Sequence, residues 1–323
     1  MLTDGYNRTI DYLRISLTDK CNLRCKYCVP SCGVERKDHS EILTLEEVLR
    51  ITDIMTRLGV RKVRFTGGEP LLRKNAVGLI KNVSKLTNAP KICITTNGVL
   101  LGDYLDFLYD ASVRDINISL DTLDPATYEA ITGEDALESV FGSIRECLMK
   151  DIDLKINAVP IKGINDDDIP SLASIAKDNP ITVRFIELMP LGCASAYQGV
   201  PNDEVRRKLF EVYGEEKEVI NDVNSPAHYV TYEGFTGKIG FISPVSHAFC
   251  KNCNRLRLTC DGKLKLCLAS PLSLDLKALI RSGASDKDIS QAITEAVLKK
   301  PEHHGFGAEG YTAGPDNMIG IGG

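Results

Sequence analysis

The chain has 323 residues, of which 43% are hydrophobic and 26% charged, and its formal net charge is −5. These proportions are typical of a folded globular protein, and the excess of acidic residues argues against general nucleic-acid binding, so a polyanion would need a local basic pocket. The N-terminus lacks a signal-peptide pattern and no apolar run approaches the roughly 20 residues of a membrane span, so we expect neither secretion nor a membrane anchor.

The chain contains 11 cysteines, which without a secretion signal indicate metal or redox chemistry in the reducing cytoplasm. A first strand is predicted over residues 12–17, and a C-x3-C-x2-C loop follows it, formed by Cys21, Cys25 and Cys28. Three thiolates this close can hold three irons of a 4Fe–4S cluster and leave one iron open. The alternatives are a zinc site completed by Cys32 or His39, or unconnected buried thiols.

From residue 45 onwards, amphipathic helices alternate with short β-branched strands. Helices are predicted around residues 45–55, 76–86, 103–111, 136–150 and 167–177, and strands over residues 62–66, 92–95, 115–120, 154–160 and 182–188. With the first strand this makes six β/α units, which predicts an α/β fold with a parallel sheet wrapped by helices. Six units are fewer than the eight of a TIM barrel, so we expect an incomplete (β/α)6 barrel with a lateral opening.

Polar and glycine residues follow the ends of these predicted strands. Gly67, Gly68 and Glu69 come after the second strand, and the other positions are Thr95, Ser119, Asn157 and Met189. Because the carboxyl ends of parallel strands surround one mouth of a β/α barrel, we expect these residues to line one site. The glycines allow backbone to approach a ligand, and Glu69 can help to fix an ammonium group. A tight turn and an ordinary core methionine are the alternative explanations.

The alternation stops near residue 200, so we divide the chain into a barrel region over 1–200 and a C-terminal region over 201–323. In the second region we predict a helix over 203–213 and strands over 228–232, 238–242, 255–259 and 263–268. Between and after them stand Cys250, Cys253 and Cys267, spaced C-x2-C-x13-C. A zinc site completed by Cys260 or His247 is the alternative to a second cluster with an open iron. We favour the cluster because a first one is predicted in the same chain.

A set of basic residues accompanies the predicted strands. Arg255 and Arg257 are two residues apart on one strand, so both side chains point to the same face. Arginine binds phosphate in bidentate fashion and stays charged. The first, second, fifth and sixth strands add Arg14, Arg64, Lys155 and Arg184. Any one of these could be a surface cation, but the set predicts a small polyanionic ligand such as a nucleoside triphosphate.

The C-x3-C-x2-C loop with Tyr27 before its last cysteine, followed by Gly67-Gly68-Glu69-Pro70, resembles the radical S-adenosylmethionine (SAM) superfamily. The resemblance implies a TIM-like partial barrel whose open side is closed by the C-terminal extension. It also implies that Cys21, Cys25 and Cys28 bind a 4Fe–4S cluster whose open iron binds SAM, which one electron cleaves to a 5′-deoxyadenosyl radical. The SAM-binding residues implied are Tyr27, Gly68, Ser119 and Met189.

The C-terminal half narrows the resemblance to one family. The segments 13–22, 250–258 and 261–268 and the terminal Ile321-Gly322-Gly323 are similar to the GTP 3′,8-cyclases, which open molybdenum cofactor biosynthesis. This implies a second 4Fe–4S cluster on Cys250, Cys253 and Cys267, with the guanine of GTP on its open iron. The GTP-binding residues implied are Arg14, Arg64, Thr95, Lys155, Arg184, Arg255, Leu256 and Arg257, of which Arg14, Arg255 and Arg257 are implied to be catalytic.

The family resemblance also implies partners. The product would pass to cyclic pyranopterin monophosphate synthase, electrons would come from an external donor, the protein would be a homodimer, and the tail with Gly322 and Gly323 would insert towards the site. One rival is a peptide-modifying radical SAM enzyme with auxiliary clusters, although such enzymes usually carry more C-terminal cysteines. The other rival is a zinc-stabilised nucleotide-binding protein, which iron analysis would distinguish.

Overall fold

The computed structural model describes residues 1–30, 32–33, 37–219, 225–306 and 318–322. Its strands are β1 (Leu2–Thr3), β2 (Thr9–Ile10), β3 (Tyr12–Ser16), β4 (Lys62–Thr66), β5 (Lys91–Thr96), β6 (Asp115–Ser119), β7 (Asp153–Ala158), β8 (Thr182–Ile186), β9 (Lys217–Glu218), β10 (Ala227–Thr231), β11 (Lys238–Ile242), β12 (Arg255–Leu258), β13 (Lys263–Lys265) and β14 (Ser273–Asp275). Its α-helices are α1 (Leu45–Arg57), α2 (Ala76–Val83), α3 (Leu101–Asp110), α4 (Pro125–Thr132), α5 (Leu137–Leu148), α6 (Ile169–Asp178), α7 (Asn202–Tyr213), α8 (Leu276–Arg281), α9 (Asp286–Val297) and α10 (Met318–Ile321).

One mixed sheet runs through most of the described chain, in the order β14-β13-β12-β3-β4-β5-β6-β7-β8-β11-β10-β9. The six strands predicted for the barrel region, β3 to β8, are adjacent and parallel. Two strands of the C-terminal region extend the parallel part, since β12 pairs with β3 and β11 pairs with β8. Strands from before and after residue 200 therefore belong to one sheet, and the division of the chain into two regions stays a prediction.

The outer face of the parallel strands carries the main hydrophobic core. Alternate residues such as Leu13, Ile15, Phe65 and Phe185 are fully buried there and pack against the helices. The same alternation turns the polar residues of each strand to the opposite, inner face. Every helix within the described ranges is too short or too polar to cross a lipid bilayer.

Local capping explains where α1 begins and ends. Thr44 and Glu47 form a capping box, in which each side chain accepts a hydrogen bond from the other residue's backbone N–H. The helix ends at Arg57, and Gly59 follows with φ 110°, a conformation that favours glycine. The predicted helix over residues 45–55 has the observed start and ends two residues before the observed end.

Candidate active site

A cavity of about 670 Å³ lies on the inner face of the sheet and brings the two cysteine groups together. The first trio (Cys21, Cys25 and Cys28) and the second trio (Cys250, Cys253 and Cys267) all line it as thiols. Residues of β3 to β8 and of the C-terminal region form the rest of its wall. Groups more than two hundred residues apart in sequence therefore share one chamber.

The loop that bears the first trio is held by backbone hydrogen bonds. Arg24 N donates to Thr132 O (2.7 Å) and Lys26 N donates to Ile131 O (3.1 Å), so the end of α4 supports the loop. Burial raises the pKa of Cys28 to about 12, and the neighbouring Cys21 acts in the same direction. Burial therefore works against ionisation of Cys28, and a bound metal would supply the positive charge that keeps the thiols ionised.

The glycine pair after β4 packs directly against this loop. A Cβ atom on Gly67 would lie 2.6 Å from Thr18 O, and one on Gly68 would lie 2.3 Å from Lys20 O. The Gly68 N–H donates to Thr18 O (2.8 Å) in the same contact. Close packing of the cysteine loop on the end of β4 is therefore enough to require glycine at both positions. Gly68 also lines the cavity, where a ligand could approach its main chain.

Glu69 occupies a different place from the one expected. Its side chain is fully buried and is not among the residues that line the cavity. The carboxylate accepts hydrogen bonds from Leu71 N (3.0 Å), Thr96 Oγ1 (3.0 Å) and Asn97 N (2.8 Å). Glu69 therefore ties the ends of β4 and β5 together, and its side chain does not face the cavity to fix an ammonium group.

Tyr27 is anchored by the carboxylate of Asp121, which follows β6. Its hydroxyl donates to Asp121 Oδ2 (2.5 Å), while Asp121 Oδ1 accepts from Val159 N (2.8 Å). Burial raises the pKa of Asp121 to about 6. Ser119 and Met189 line the same cavity. The predicted SAM-binding residues therefore all border the chamber of the first trio.

The second trio lies among cations. Burial raises the pKa of the Cys253 thiol, but the positive charges of Arg255 and Lys300 outweigh burial and lower that pKa to about 7. The Arg255 guanidinium also stacks over the Phe249 ring at 4.7 Å from its centroid. This setting favours a thiolate at Cys253, which is the form that binds metal.

Three arginines stand side by side on adjacent strands of the inner face. Arg257 on β12 is in register with Arg14 on β3, which is in register with Arg64 on β4. Burial lowers the pKa of Arg14 to about 10, and the charges of Arg64 and Arg255 add to that effect. Packing like charges this closely is unfavourable, so an anion bound between them would be strongly stabilised.

The predicted GTP-binding side chains differ in how they are engaged. Arg64 is satisfied within the protein, since it pairs with Asp115 (2.5 Å) and donates to Ile94 O (2.7 Å). Lys155 forms ion pairs with Asp115 and Asp153. Arg184, in contrast, is 8% exposed, and its Nε and Nη2 have no hydrogen-bond partner among the described residues.

Leu256 lies on the other face of its strand. It is 1% exposed, belongs to the main core and does not line the cavity, whereas Arg255, Arg257 and Thr95 do. Strand alternation turns the Leu256 side chain away from the cavity. Only its main chain could therefore contact the substrate, as a narrower form of the prediction.

Two asparagines lie on the inner face, of which Asn157 was expected at the site and Asn117 was missed. Asn117 lies between Thr95 and Lys155 in the register, and Asn157 lies between Ser119 and Arg184. Both line the cavity, and both have a buried Oδ1 without a hydrogen-bond partner in the described structure. The two-residue spacing of Asn117 from Ser119 on β6 was the signal that could have identified it.

The described part of the tail enters the chamber. Arg257 Nη1 donates to Gly322 O, and the Ile319 N–H donates to the Cys28 thiol. Gly322 has φ 79°, and a Cβ there would lie 3.0 Å from Ser16 Cβ, so glycine fits both the backbone and the space. The expected role of Gly323 concerns a residue outside the described ranges.

The side chains considered as fourth zinc ligands do not line the cavity. Cys260 is buried elsewhere, Cys32, His39 and His247 are exposed, and none of the four borders the two trios. Within the described residues, no three His, Cys, Asp or Glu side chains converge on a position suited to a single metal ion.

Comparison with known proteins gives consistent matches over the whole chain. Residues 15–176 match the Radical SAM superfamily, and residues 181–306 match the family Molybdenum Cofactor Synthesis C. The chain is 44% identical over 310 residues to a GTP 3′,8-cyclase of Clostridium perfringens (strain 13 / Type A), and this match covers 94% of this chain and 95% of that protein. It is 42% identical over 326 residues to a GTP 3′,8-cyclase of Alkaliphilus metalliredigens (strain QYMF), with 100% of both chains covered.

A solved structure resembles the fold at low sequence identity. SuiB of Streptococcus suis, bound to S-adenosylmethionine, superposes with a TM-score of 0.64 at 16% identity, and the match covers 92% of this chain and 73% of SuiB. This likeness concerns the fold alone.

Proposed function

This chain belongs to the GTP 3′,8-cyclase family of the radical SAM superfamily, and we propose that it converts GTP to (8S)-3′,8-cyclo-7,8-dihydroguanosine 5′-triphosphate. That reaction is the first step of molybdenum cofactor biosynthesis, in agreement with the match of residues 181–306. The observation that carries the proposal is the shared chamber, in which two cysteine trios and a set of buried cations face one space of about 670 Å³.

We propose that the chamber holds two 4Fe–4S clusters. Cys21, Cys25 and Cys28 would bind the first cluster and Cys250, Cys253 and Cys267 the second, each leaving one iron without a protein ligand. When bound, the clusters and SAM supply single electrons and a radical that can remove a hydrogen atom. The protein's own part is to place SAM and GTP close together and to keep water away from them.

SAM would lie against the first trio. Tyr27 borders that position and its ring is oriented by Asp121, while Gly68 offers main chain without a side chain. Ser119 and Met189 complete the contacts that we propose for SAM.

GTP would lie between the second trio and the arginines. Arg14, Arg184, Arg255 and Arg257 would neutralise its triphosphate, and bidentate hydrogen bonds would fix its orientation. Lys155 and Thr95 border the same space, and the Leu256 main chain would contribute from β12. In this arrangement Arg64 acts through Asp115 and Tyr12, to which it donates, and orders the neighbouring cations.

We also propose that the sheet curves into an incomplete (β/α)6 barrel whose open side is closed by residues 201–323. Support comes from the cavity wall, which combines Asn117 on the central strand β6 with Cys250 and Cys267 from the C-terminal region. A flat sheet would hold strands so distant in its order far apart. An external electron donor, a homodimeric assembly and transfer of the product to cyclic pyranopterin monophosphate synthase complete the proposal.

The test is anaerobic incubation of the reconstituted protein with GTP, SAM and dithionite. We expect about eight iron atoms per chain, and 5′-deoxyadenosine and a cyclised nucleotide appearing together. Arg257→Ala should reduce nucleotide cyclisation more than SAM cleavage, because Arg257 lies among the cations of the second trio. A colourless, zinc-loaded protein that binds GTP and forms neither product would overturn the proposal.

A further inference from the structure

Two buried cations from outside the cysteine groups hold the segments that carry the second trio. Arg8 Nη1 donates to the carbonyl oxygen of Cys250 (2.9 Å). Lys300 Nζ donates to Arg255 O (2.9 Å) and to Leu266 O, the residue before Cys267. Arg8 is 8% exposed and Lys300 is 2% exposed. Each of the three cysteine segments is therefore tied through its backbone to one of these two side chains.

The two cations are also linked to each other. The Arg8 guanidinium donates to Pro301 O (2.7 Å) and Glu302 O (2.8 Å), directly after Lys300 in the chain. Its Nε pairs with Asp4 Oδ2 (2.6 Å) within the turn between β1 and β2. The N-terminal hairpin, the second trio and the chain after α9 thus form one network of buried contacts.

The charges of the two cations are compensated differently. Asp4 offsets Arg8, whereas no carboxylate of the described residues lies within ion-pair distance of Lys300. Arg255 adds a second positive charge beside the same thiols.

We propose that Arg8 and Lys300 are positioning residues for a cluster on the second trio, and that the charge of Lys300 raises the reduction potential of this cluster. The inference rests on the proposed function, because it takes the second trio as a cluster site. An uncompensated positive charge at short range stabilises the reduced, more negative cluster and so raises its reduction potential. Hydrogen bonds that orient the ligand-bearing segments raise the affinity for the metal.

The experiment uses full-length protein in which Cys21, Cys25 and Cys28 are all changed to alanine, so that only the second trio can bind a cluster. After anaerobic reconstitution this parent should hold about four iron atoms per chain. Lys300→Met, Lys300→Arg and Arg8→Gln are added one at a time, with Lys208→Met as control. Lys208, on α7, pairs with Asp166 and does not line the cavity. The readouts are the rate of iron loss to a chelator and the midpoint potential followed by electron paramagnetic resonance.

Lys300→Met should lose iron faster by on the order of tenfold and should show a lower midpoint potential. Lys300→Arg should keep the midpoint potential of the parent because the charge is retained. Arg8→Gln should lose iron faster, because the Cys250 segment loses its backbone hydrogen bond, and Lys208→Met should behave as the parent. In the reciprocal protein, with Cys250, Cys253 and Cys267 changed to alanine, Lys300→Met should alter neither readout.

The outcomes separate this inference from the proposed function. A parent that binds no iron would overturn the second cluster and the inference together. A parent that binds about four irons, with Lys300→Met and Arg8→Gln unchanged in both readouts, would overturn the inference alone. An equal drop of potential in Lys300→Arg and Lys300→Met would also contradict it, because charge would not be the cause.

Discussion

Arg64 and Arg184 are both buried on the inner face of the sheet, but the protein compensates only one of their charges. Arg64 is paired with Asp115. Burial raises the pKa of this carboxyl, but the charges of Arg64, Lys155 and Lys62 hold it far below its usual range. Arg184 has unpartnered Nε and Nη2 atoms within the described structure, and burial lowers its pKa. Gly240 leaves room for it, since a Cβ there would lie 2.8 Å from Arg184 Cγ. We therefore expect Arg64 to stabilise the fold, and we propose that Arg184 is available to bind an anion.

Replacing each arginine by methionine should separate stability from binding. Arg64→Met should lower the free energy of unfolding by about 3 to 5 kcal/mol, because Asp115 loses its buried partner. Arg184→Met should unfold no more easily than the wild type, since it removes an uncompensated buried charge, but should weaken GTP binding roughly 30-fold or more. Thermal unfolding and equilibrium dialysis with GTP measure the two effects. An Arg184→Met protein that is destabilised yet binds GTP normally would refute this assignment.

Glu69 should make the protein's stability depend on pH. Burial raises the pKa of its carboxyl to about 7, although the bonds from Asn97, Leu71 and Thr96 limit the rise. Between about pH 4.5 and pH 7 the folded state keeps a proton that the unfolded state releases, so stability falls as pH rises, by roughly 3 kcal/mol from this group. The difference in unfolding free energy between wild type and Glu69→Gln, measured in urea at pH 5 and pH 7.5, should change accordingly. A constant difference would show that Glu69 does not titrate in this range.

At the scale of elements, the end of β4 and the first cysteine loop behave as one unit. Gly68→Ala would place a Cβ 2.3 Å from Lys20 O and 3.1 Å from Cys21 N, so the loop must move. We expect loss of the first cluster, which leaves about four of eight iron atoms per chain. Gly142→Ala is the control, because the nearest atom to its Cβ would be 4.0 Å away. Iron analysis after anaerobic reconstitution measures the effect, and a full iron content in Gly68→Ala would contradict the coupling.

The elements that the sequence predicted well are those with a strong local period. The strands β3 to β8 and the helices α1, α2, α3, α5 and α6 begin and end within a few residues of their predicted bounds. The hairpin of β1 and β2 was missed because two-residue strands have no period to detect. Helix α4 was also missed, although Asp124 caps its start and Gly133 ends it. The helix is only eight residues long, which is too short to show a clear helical period.

The site was predictable where its residues follow strands and unpredictable where they act over distance. Strand alternation placed Arg255 and Arg257 on one face, as the structure has them. Lys300 lies beyond α9 and contacts Leu266, and Arg8 contacts Cys250, which is 242 residues away in the sequence. No local pattern specifies such contacts, because they depend on how β12 docks beside β3.

At the scale of the whole molecule, the sheet order explains why one chamber serves both trios. The first trio follows β3, and the second trio brackets β12, which is the parallel neighbour of β3. The chain after β8 must therefore cross to the opposite side of the parallel strands before it reaches Arg255. The tail returns to the same place, where Gly322 meets Arg257.

The central claim is that SAM at the first trio and GTP at the second trio react directly within this chamber. The most direct measurement is anaerobic turnover of GTP deuterated at C3′, with mass spectrometry of both products. The account predicts that 5′-deoxyadenosine gains one deuterium while the cyclised nucleotide loses it. Formation of 5′-deoxyadenosine without deuterium, or a nucleotide product that keeps its C3′ deuterium, would contradict the account.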